Sequence, residues 1–307
     1  MGQPVDAQKA VFYGRFVLAA YTMFKNPNPD PLQPDPAGIP ADYELAAWIQ
    51  MSDFFLEEEK VKFYGIVAYE KANPDSRIIA IRGTEGAVEW LDDAAALPVP
   101  FHQVPSAGRV AYGFDRIYKT LRVVKRTLPE KGLRPGAAAP EVFSGSFAEQ
   151  LEQLAIRHEA ERGLRALAPG ERRNRPTIVT GHSLGGALTT LFVMENADKH
   201  RFDIKSLCTF ASPRVGNAEF AHTFNKLPID SWRIFNKWDL VPKIPFHVPV
   251  LFDYTHIDIG HEVDSTSLAK NNLVCWHSME TYLHCLEGTF PLRPECMRTA
   301  AGGGANS

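Results

Sequence analysis

The 307-residue chain has no uninterrupted apolar run near the roughly 18 residues needed to cross a bilayer, so a membrane-spanning helix is excluded. Charge of neither sign dominates. The 33 Lys plus Arg stand against 36 Asp plus Glu, a formal charge of -3, which argues against a nucleic-acid partner held by phosphate neutralisation. The start lacks the basic, apolar, small-residue order of a secretory signal, and Asp6 stands where a myristoylation motif opening on Gly2 needs Ser or Thr. A soluble chain is expected, with its compartment left open. Cysteine is scarce: Cys208, Cys275, Cys285 and Cys296 are too few for a disulfide scaffold and contain no CxxC pair for zinc. Separate thiols are the expectation. A Cys285–Cys296 bridge would close a short loop and imply an oxidising compartment, but spacing does not decide its geometry.

What is present reads as a globular enzyme. Hydrophobic residues make up 45% and charged residues 22%, and the length suits one domain over residues 1–299 with a small, glycine-rich disordered tail at 300–307. Phe12, Phe16, Ala19, Ala20 and Phe24 predict a helix over 11–24, and the prolines of 26–41 then predict an extended loop. Strands are expected at 62–70, 77–82, 177–179, 204–210, 232–236 and, by alternation, 254–263. Phe114, Ile117, Leu121 and Val124 predict a helix from Gly113 to about Thr127. A Gly/Pro/Ala-rich insertion at 129–146 precedes another helix marked by Leu151, Leu154, Ala155, Leu164 and Leu167. Strands alternating with helices predict an α/β fold with a mostly parallel sheet covered on both faces.

Gly181-His182-Ser183-Leu184-Gly185 matches G-x-S-x-G between an expected strand and an expected helix over 187–196. A serine hydroxyl becomes a usable nucleophile when a tight turn holds it out of the sheet beside a base, and the flanking glycines remove colliding side chains. The helix that follows aims free N–H groups at a developing oxyanion. The acid and the histidine should follow in that order. Among Asp203, Asp230, Asp239, Asp253, Asp258 and Asp264, Asp239 stands out because it directly follows the strand Trp232–Phe235. Of His247, His256, His261, His277 and His284, His277 opens the last apolar helical stretch, with Met279, Tyr282 and Leu283. The group His256, Asp258, His261, Glu262 and Asp264 has metal-ligand chemistry, but its alternation reads as a strand. No metal and no cofactor are expected.

Six ordered blocks together resemble the class 3 lipases, a branch of the α/β hydrolases. They are Ala80-Ile81-Arg82-Gly83-Thr84, Glu89-Trp90-Leu91-Asp92-Asp93, Val110 to Phe114, Thr180 to Gly186, Phe210-Ala211-Ser212-Pro213-Arg214-Val215-Gly216-Asn217 and Arg233 to Pro245, with His277 closing the series. The resemblance covers about residues 21–286. It implies Ser183 as nucleophile, Asp239 as acid, His277 as base, and an oxyanion hole from the Leu184 N–H and Thr84. It also implies a short helical lid over about 85–99, with Val88, Trp90, Leu91 and Leu97 facing the acyl pocket or a lipid–water interface. Ala111 stands where the family's Val-His-x-Gly-Phe block has histidine, and the lid carries Glu85, Glu89, Asp92 and Asp93. The implied activity is acylglycerol hydrolysis through an acyl-enzyme. A phospholipase A1, a feruloyl-type esterase or a non-catalytic hydrolase-like binding protein are the alternatives.

Overall fold

A computed structural model describes residues 4–25, 34–52, 61–84, 96–126, 141–168, 171, 173–245 and 253–298. The elements run α1 (Ala7–Lys25), β1 (Tyr43–Ser52), β2 (Val61–Glu70), β3 (Arg77–Ile81), β4 (Pro98–Pro100), β5 (Arg109–Ala111), α2 (Tyr112–Tyr118), β6 (Arg122–Lys125), β7 (Glu141–Val142) and α3 (Phe147–Glu161). They continue with β8 (Pro176–His182), α4 (Leu184–Lys199), β9 (Asp203–Phe210), β10 (Gly216–Asn217), α5 (Ala218–Phe224), β11 (Asp230–Asn236), β12 (Tyr254–Thr255), β13 (Gly260–Val263), α6 (Leu273–Trp276) and α7 (Met279–Glu287).

A nine-stranded sheet in the order β13-β11-β9-β8-β3-β2-β1-β6-β7 is the frame. It is mixed: β13, β11, β9, β8 and β3 pair in parallel, whereas β3, β2, β1, β6 and β7 pair antiparallel. Strand β3 is buried at every residue, as a strand covered on both faces must be. Its Ile78 and Ala80 join a core with α1 and α7, and its Ile79 and Ile81 join a second core with α2, α3 and α4. Helix α4 is buried at each position from Leu184 to Asn196, which fits a helix apolar on most sides lying between the sheet and the outer helices. A small second sheet, β12-β10-β5-β4, flanks the frame.

Several expectations shift. The helix predicted from Gly113 to Thr127 stops at Tyr118. Val123 and Val124 instead lie in β6, opposite Ile49 and Trp48 of β1, a strand the sequence reading had not marked. The β-branched pair sends one side chain to each core, and Gln150 accepts from the Val123 N–H and donates to the Leu121 carbonyl, securing the segment. Ser146 opens α3 with a capping box, and Gly163 at φ 72 ends it, leaving Leu164 exposed and outside the helix. The strand predicted over 254–263 is divided by a turn at Asp258, φ 61, so its two halves enter different sheets. Of the Pro-rich loop, residues 26–33 lie outside the described residues, while the Pro34 carbonyl accepts from Trp48 Nε1 at 2.8 Å. Residues 129–140 of the insertion, residues 85–95 of the expected lid, with Val88, Trp90 and Leu91, and the tail also lie outside the described residues. Leu97 is exposed.

The thiol reading is corrected. Cys275 and Cys296, both buried, form a disulfide with a Cα–Cα distance of 5.3 Å, while Cys208 and Cys285 are free. Cys285 packs toward the α1 side of the core instead, so its side chain is taken up there. The bridge spans 21 residues and encloses α7, and a backbone bond from Lys270 N–H to the Cys296 carbonyl joins the same ends. Closing a loop of this size restricts the unfolded chain by about 3 kcal/mol. Urea unfolding of a Cys275→Ser/Cys296→Ser protein is therefore expected to show a loss of about that size. An unchanged midpoint would remove the bridge from the list of stabilising contacts.

Candidate active site

Strand β8 ends at His182, Ser183 turns at φ 57 and ψ -128, and α4 begins at Leu184. Positive φ is uncommon for a residue with a Cβ and persists only where surrounding packing fixes it. Here the Ser183 N–H donates to the Phe210 carbonyl at 2.9 Å, and a Cβ on Gly185 would lie 2.1 Å from the Ile81 carbonyl oxygen. Glycine at 185 therefore lets the helix start press against the end of β3.

The other two predicted members converge on this turn. His277 Nε2 lies 2.9 Å from Ser183 Oγ, and His277 Nδ1 lies 2.7 Å from Asp239 Oδ2. Asp239 is buried in the loop that leaves β11. Its Oδ2 also accepts from the Tyr282 hydroxyl at 2.7 Å, and its Oδ1 accepts from the Val241 N–H at 3.0 Å. Tyr282 is fully buried, and that desolvation, with the Asp239 charge adding to it, pushes its hydroxyl well above the ordinary range, so it stays a neutral donor. Its oxygen accepts from the Asn236 N–H at 2.9 Å, and Asn236 Nδ2 donates to the Trp276 carbonyl, next to His277. The Asp239 and His277 segments are thus fastened together by their neighbours.

Thr84 follows the end of β3. A Cβ on Gly83 would lie 2.6 Å from Ser183 Cβ, which puts the Gly83-Thr84 segment directly beside the serine. The Thr84 hydroxyl oxygen is buried and without a hydrogen-bond partner among the described residues, a costly state for a hydroxyl unless a ligand atom completes it. Leu184 is the first residue of α4, where an N–H has no intrahelical acceptor.

The profile of the family described as Lipase (class 3) matches residues 78–248. The chain belongs to the class 3 lipase family. Among its relatives, phospholipase A1-II 3 of Oryza sativa subsp. indica is 29% identical over 285 residues, 85% of this chain and 59% of that protein. A secreted mono- and diacylglycerol lipase 1 of Fusarium solani is 33% identical over 132 residues, 42% of this chain and 36% of that one. The chain spans between half and three-fifths of the length of the rice phospholipases it matches. Among solved structures, a Rhizomucor miehei lipase propeptide complex aligns with TM-score 0.52 at 20% identity, covering 83% of this chain and 68% of that one. Lipase II from Rhizopus niveus aligns with TM-score 0.52 at 20% identity, covering 84% and 80%. At that identity the likeness concerns the fold alone, which is the α/β-hydrolase fold.

The candidate site contains partners that motif reading passed over. Tyr282 read as part of an apolar helical stripe, His182 as the variable residue of the elbow, and Tyr21 only as the start of the family resemblance. His256, weighed as a metal ligand, instead faces the acid loop, its Nε2 2.7 Å from the Pro242 carbonyl. His261 and Glu262 are exposed on β13, and no metal-binding cluster is found among the described residues. Burial, reinforced by the Arg233 and Arg214 charges, lowers the His256 pKa to about 3. The folded protein therefore refuses a proton that the unfolded chain takes up near the ordinary histidine pKa, so the His256 contribution is complete above about pH 6.5 and is lost as pH falls toward 3. Between pH 6.5 and 5 that share reaches up to about 2 kcal/mol. Urea unfolding across this window is expected to show a shallower acid decline for His256→Asn than for the parent, and parallel declines would refute the assignment.

Proposed function

We propose that the protein is a serine carboxylic ester hydrolase that cleaves acyl esters of lipids, acylglycerols first among them. The observation that carries this reading is the continuous chain Ser183 Oγ, His277 Nε2, His277 Nδ1, Asp239 Oδ2 at 2.9 and 2.7 Å, set on a strand–helix turn next to Gly83, whose neighbour Thr84 has a buried hydroxyl unpartnered among the described residues. Ser183 Oγ attacks the ester carbonyl carbon while its proton passes to His277 Nε2. Asp239 fixes the tautomer by accepting from Nδ1–H and offsets the imidazolium charge. The Leu184 N–H and the Thr84 hydroxyl donate to the oxyanion. The intermediate collapses, the alkoxide leaves with the proton from His277, and an acyl-Ser183 ester remains. Water then attacks that ester, giving its proton to His277, and Ser183 is restored as the free acid departs.

A lipid rather than a freely soluble ester is supported by what borders the triad. Trp238 and Leu240 flank Asp239, Leu273 and Val274 lie in the helix that delivers His277, and all four are exposed. The Trp238 and Trp276 rings, 6.2 Å apart, join the two segments. Exposed apolar side chains gathered at one place favour an apolar partner. A phospholipid substrate is the second reading, favoured by likeness to the rice phospholipase A1 over 85% of this chain.

Ser183→Ala is expected to lower kcat on a monomeric nitrophenyl acyl ester by at least about 10⁴-fold, and full turnover would sink the proposal. Thr84→Ala is expected to cost about 10²- to 10³-fold in kcat, with Thr84→Ser restoring most of it. Release of fatty acid from diacylglycerol, triacylglycerol and phosphatidylcholine dispersions of equal acyl composition separates the two readings of substrate.

A further inference from the structure

Buried Gly83, Tyr21 and His182 form a second polar chain that ends at half-buried His277. Gly83 N–H lies 3.0 Å from the Tyr21 hydroxyl oxygen, that hydroxyl lies 2.8 Å from His182 Nδ1, and His182 Nε2 lies 2.9 Å from the His277 carbonyl oxygen. Chemistry fixes the direction of each bond. A carbonyl only accepts, so His182 Nε2 carries the hydrogen. In a neutral ring Nδ1 then offers its lone pair and Tyr21 O–H donates to it. The Tyr21 oxygen is left to accept from the Gly83 amide, which only donates. Every member is satisfied with one arrangement of hydrogens and no alternative.

The two ends of this chain are the two sides of the site. Gly83 precedes Thr84 and lies beyond the last ladder pair of β3, which is Ile81 opposite Gly65 and Gly181, so its N–H is held by Tyr21 instead of a strand. A Cβ at 83 would lie 2.9 Å from the Tyr21 hydroxyl, so the close approach depends on glycine. At the other end, the peptide carbonyl of the histidine itself is gripped. Resting on the hydrolase reading above, we propose that Tyr21 and His182 are positioning residues that hold the Thr84 donor and the His277 imidazole in fixed relation across Ser183.

The environment of His182 suits this role. Its ring lies 4.7 Å from the His277 ring and 6.0 Å from Tyr282, with Tyr21, itself under the Arg82 guanidinium, on its other side. Burial, together with the His277 and Arg293 charges, depresses its pKa well below the ordinary value. A neutral His182 keeps the single hydrogen arrangement and places no second cation against His277 as that ring takes up the serine proton. Tyr21 is buried too, and its hydroxyl is pushed up to about 12, so it remains a donor throughout the working range.

The test is a double-mutant cycle with Tyr21→Phe, which removes only the hydroxyl, and His182→Gln, assayed on a monomeric nitrophenyl ester. Each single change is expected to lower kcat about 10- to 100-fold with KM within about twofold, the range that misplacement of reacting groups produces. The double variant is expected to be no worse than the weaker single one, because both break the same chain. The low-field Nδ1 proton resonance of His277 should shift or broaden in each variant that retains the parent's far-ultraviolet circular dichroism. Multiplicative losses, a loss confined to KM, or an unmoved resonance overturns the proposal, as does full kcat in either single variant. If one variant does not fold, the other single variant decides by the same kcat and resonance criteria. Labelling of Ser183 by a fluorophosphonate probe separates the levels: labelled parent enzyme with a neutral Tyr21→Phe removes the positioning role alone, whereas an unlabelled parent removes the hydrolase reading and this one with it.

Discussion

The backbone of Ser183 is the constraint on which the rest depends. A residue with a Cβ at φ 57 and ψ -128 is disfavoured by of order 1–3 kcal/mol and survives only where its surroundings leave no alternative. Here β8 delivers the chain from inside the sheet, α4 leads it away buried from Leu184 to Asn196, and glycine at 185 lets helix and β3 meet at a distance no other residue tolerates. Relaxing the turn would require parting β8 from β3 or withdrawing α4 from the core. The strain at the hydroxyl is thus maintained by apolar burial some distance from it.

The parallel half of the sheet then determines what can reach that hydroxyl. Strands β3, β8 and β11 run in the same direction, so their carboxyl ends lie along one edge and release Thr84, Ser183 and Asp239 there in turn. The antiparallel strands β2, β1, β6 and β7 place no candidate residue at that edge. They extend the two apolar faces on which α1 and α3 pack. His277 arrives from outside the sheet, directly after the short helix α6. That helix is therefore fastened by the disulfide at Cys275, by Asn236 at the Trp276 carbonyl and by His182 at the His277 carbonyl.

This division explains which features could be read in the residues. The Ser183 turn, Asp239 after β11 and the late His277 have local signatures: a glycine pattern between strand and helix, a carboxylate in the turn that follows an apolar run, and a fixed order along the chain. Distance did not obscure them. Tyr21, His182 and Tyr282 have no such signature, since a tyrosine on a helical stripe looks the same whether its hydroxyl meets a carboxylate or nothing. Strand β6 was misread because Val124 continues the helical spacing of Phe114, Ile117 and Leu121, and only its pairing with β1 turns the segment into a strand. The Cys275–Cys296 pairing depends on how α7 folds back, which spacing along the chain does not contain.

The two tyrosines reveal how packing and polarity are joined. Tyr21 lies on α1 and Tyr282 on α7, two helices on the same face of the sheet, and they approach so closely that a Cβ on Gly14 would lie 2.5 Å from Leu283 and 2.7 Å from Met279. One tyrosine hydroxyl ends at Asp239 and the other at the ring of His182. Burial keeps both hydroxyls neutral, so each can only bridge a donor and an acceptor and neither adds charge beside His277. The separation of α1 from α7 is an apolar quantity, set by methyl groups meeting at a glycine, yet it fixes the positions of two hydroxyl groups. Through Asp239 on one side and His182 on the other, those hydroxyls fix the imidazole between them.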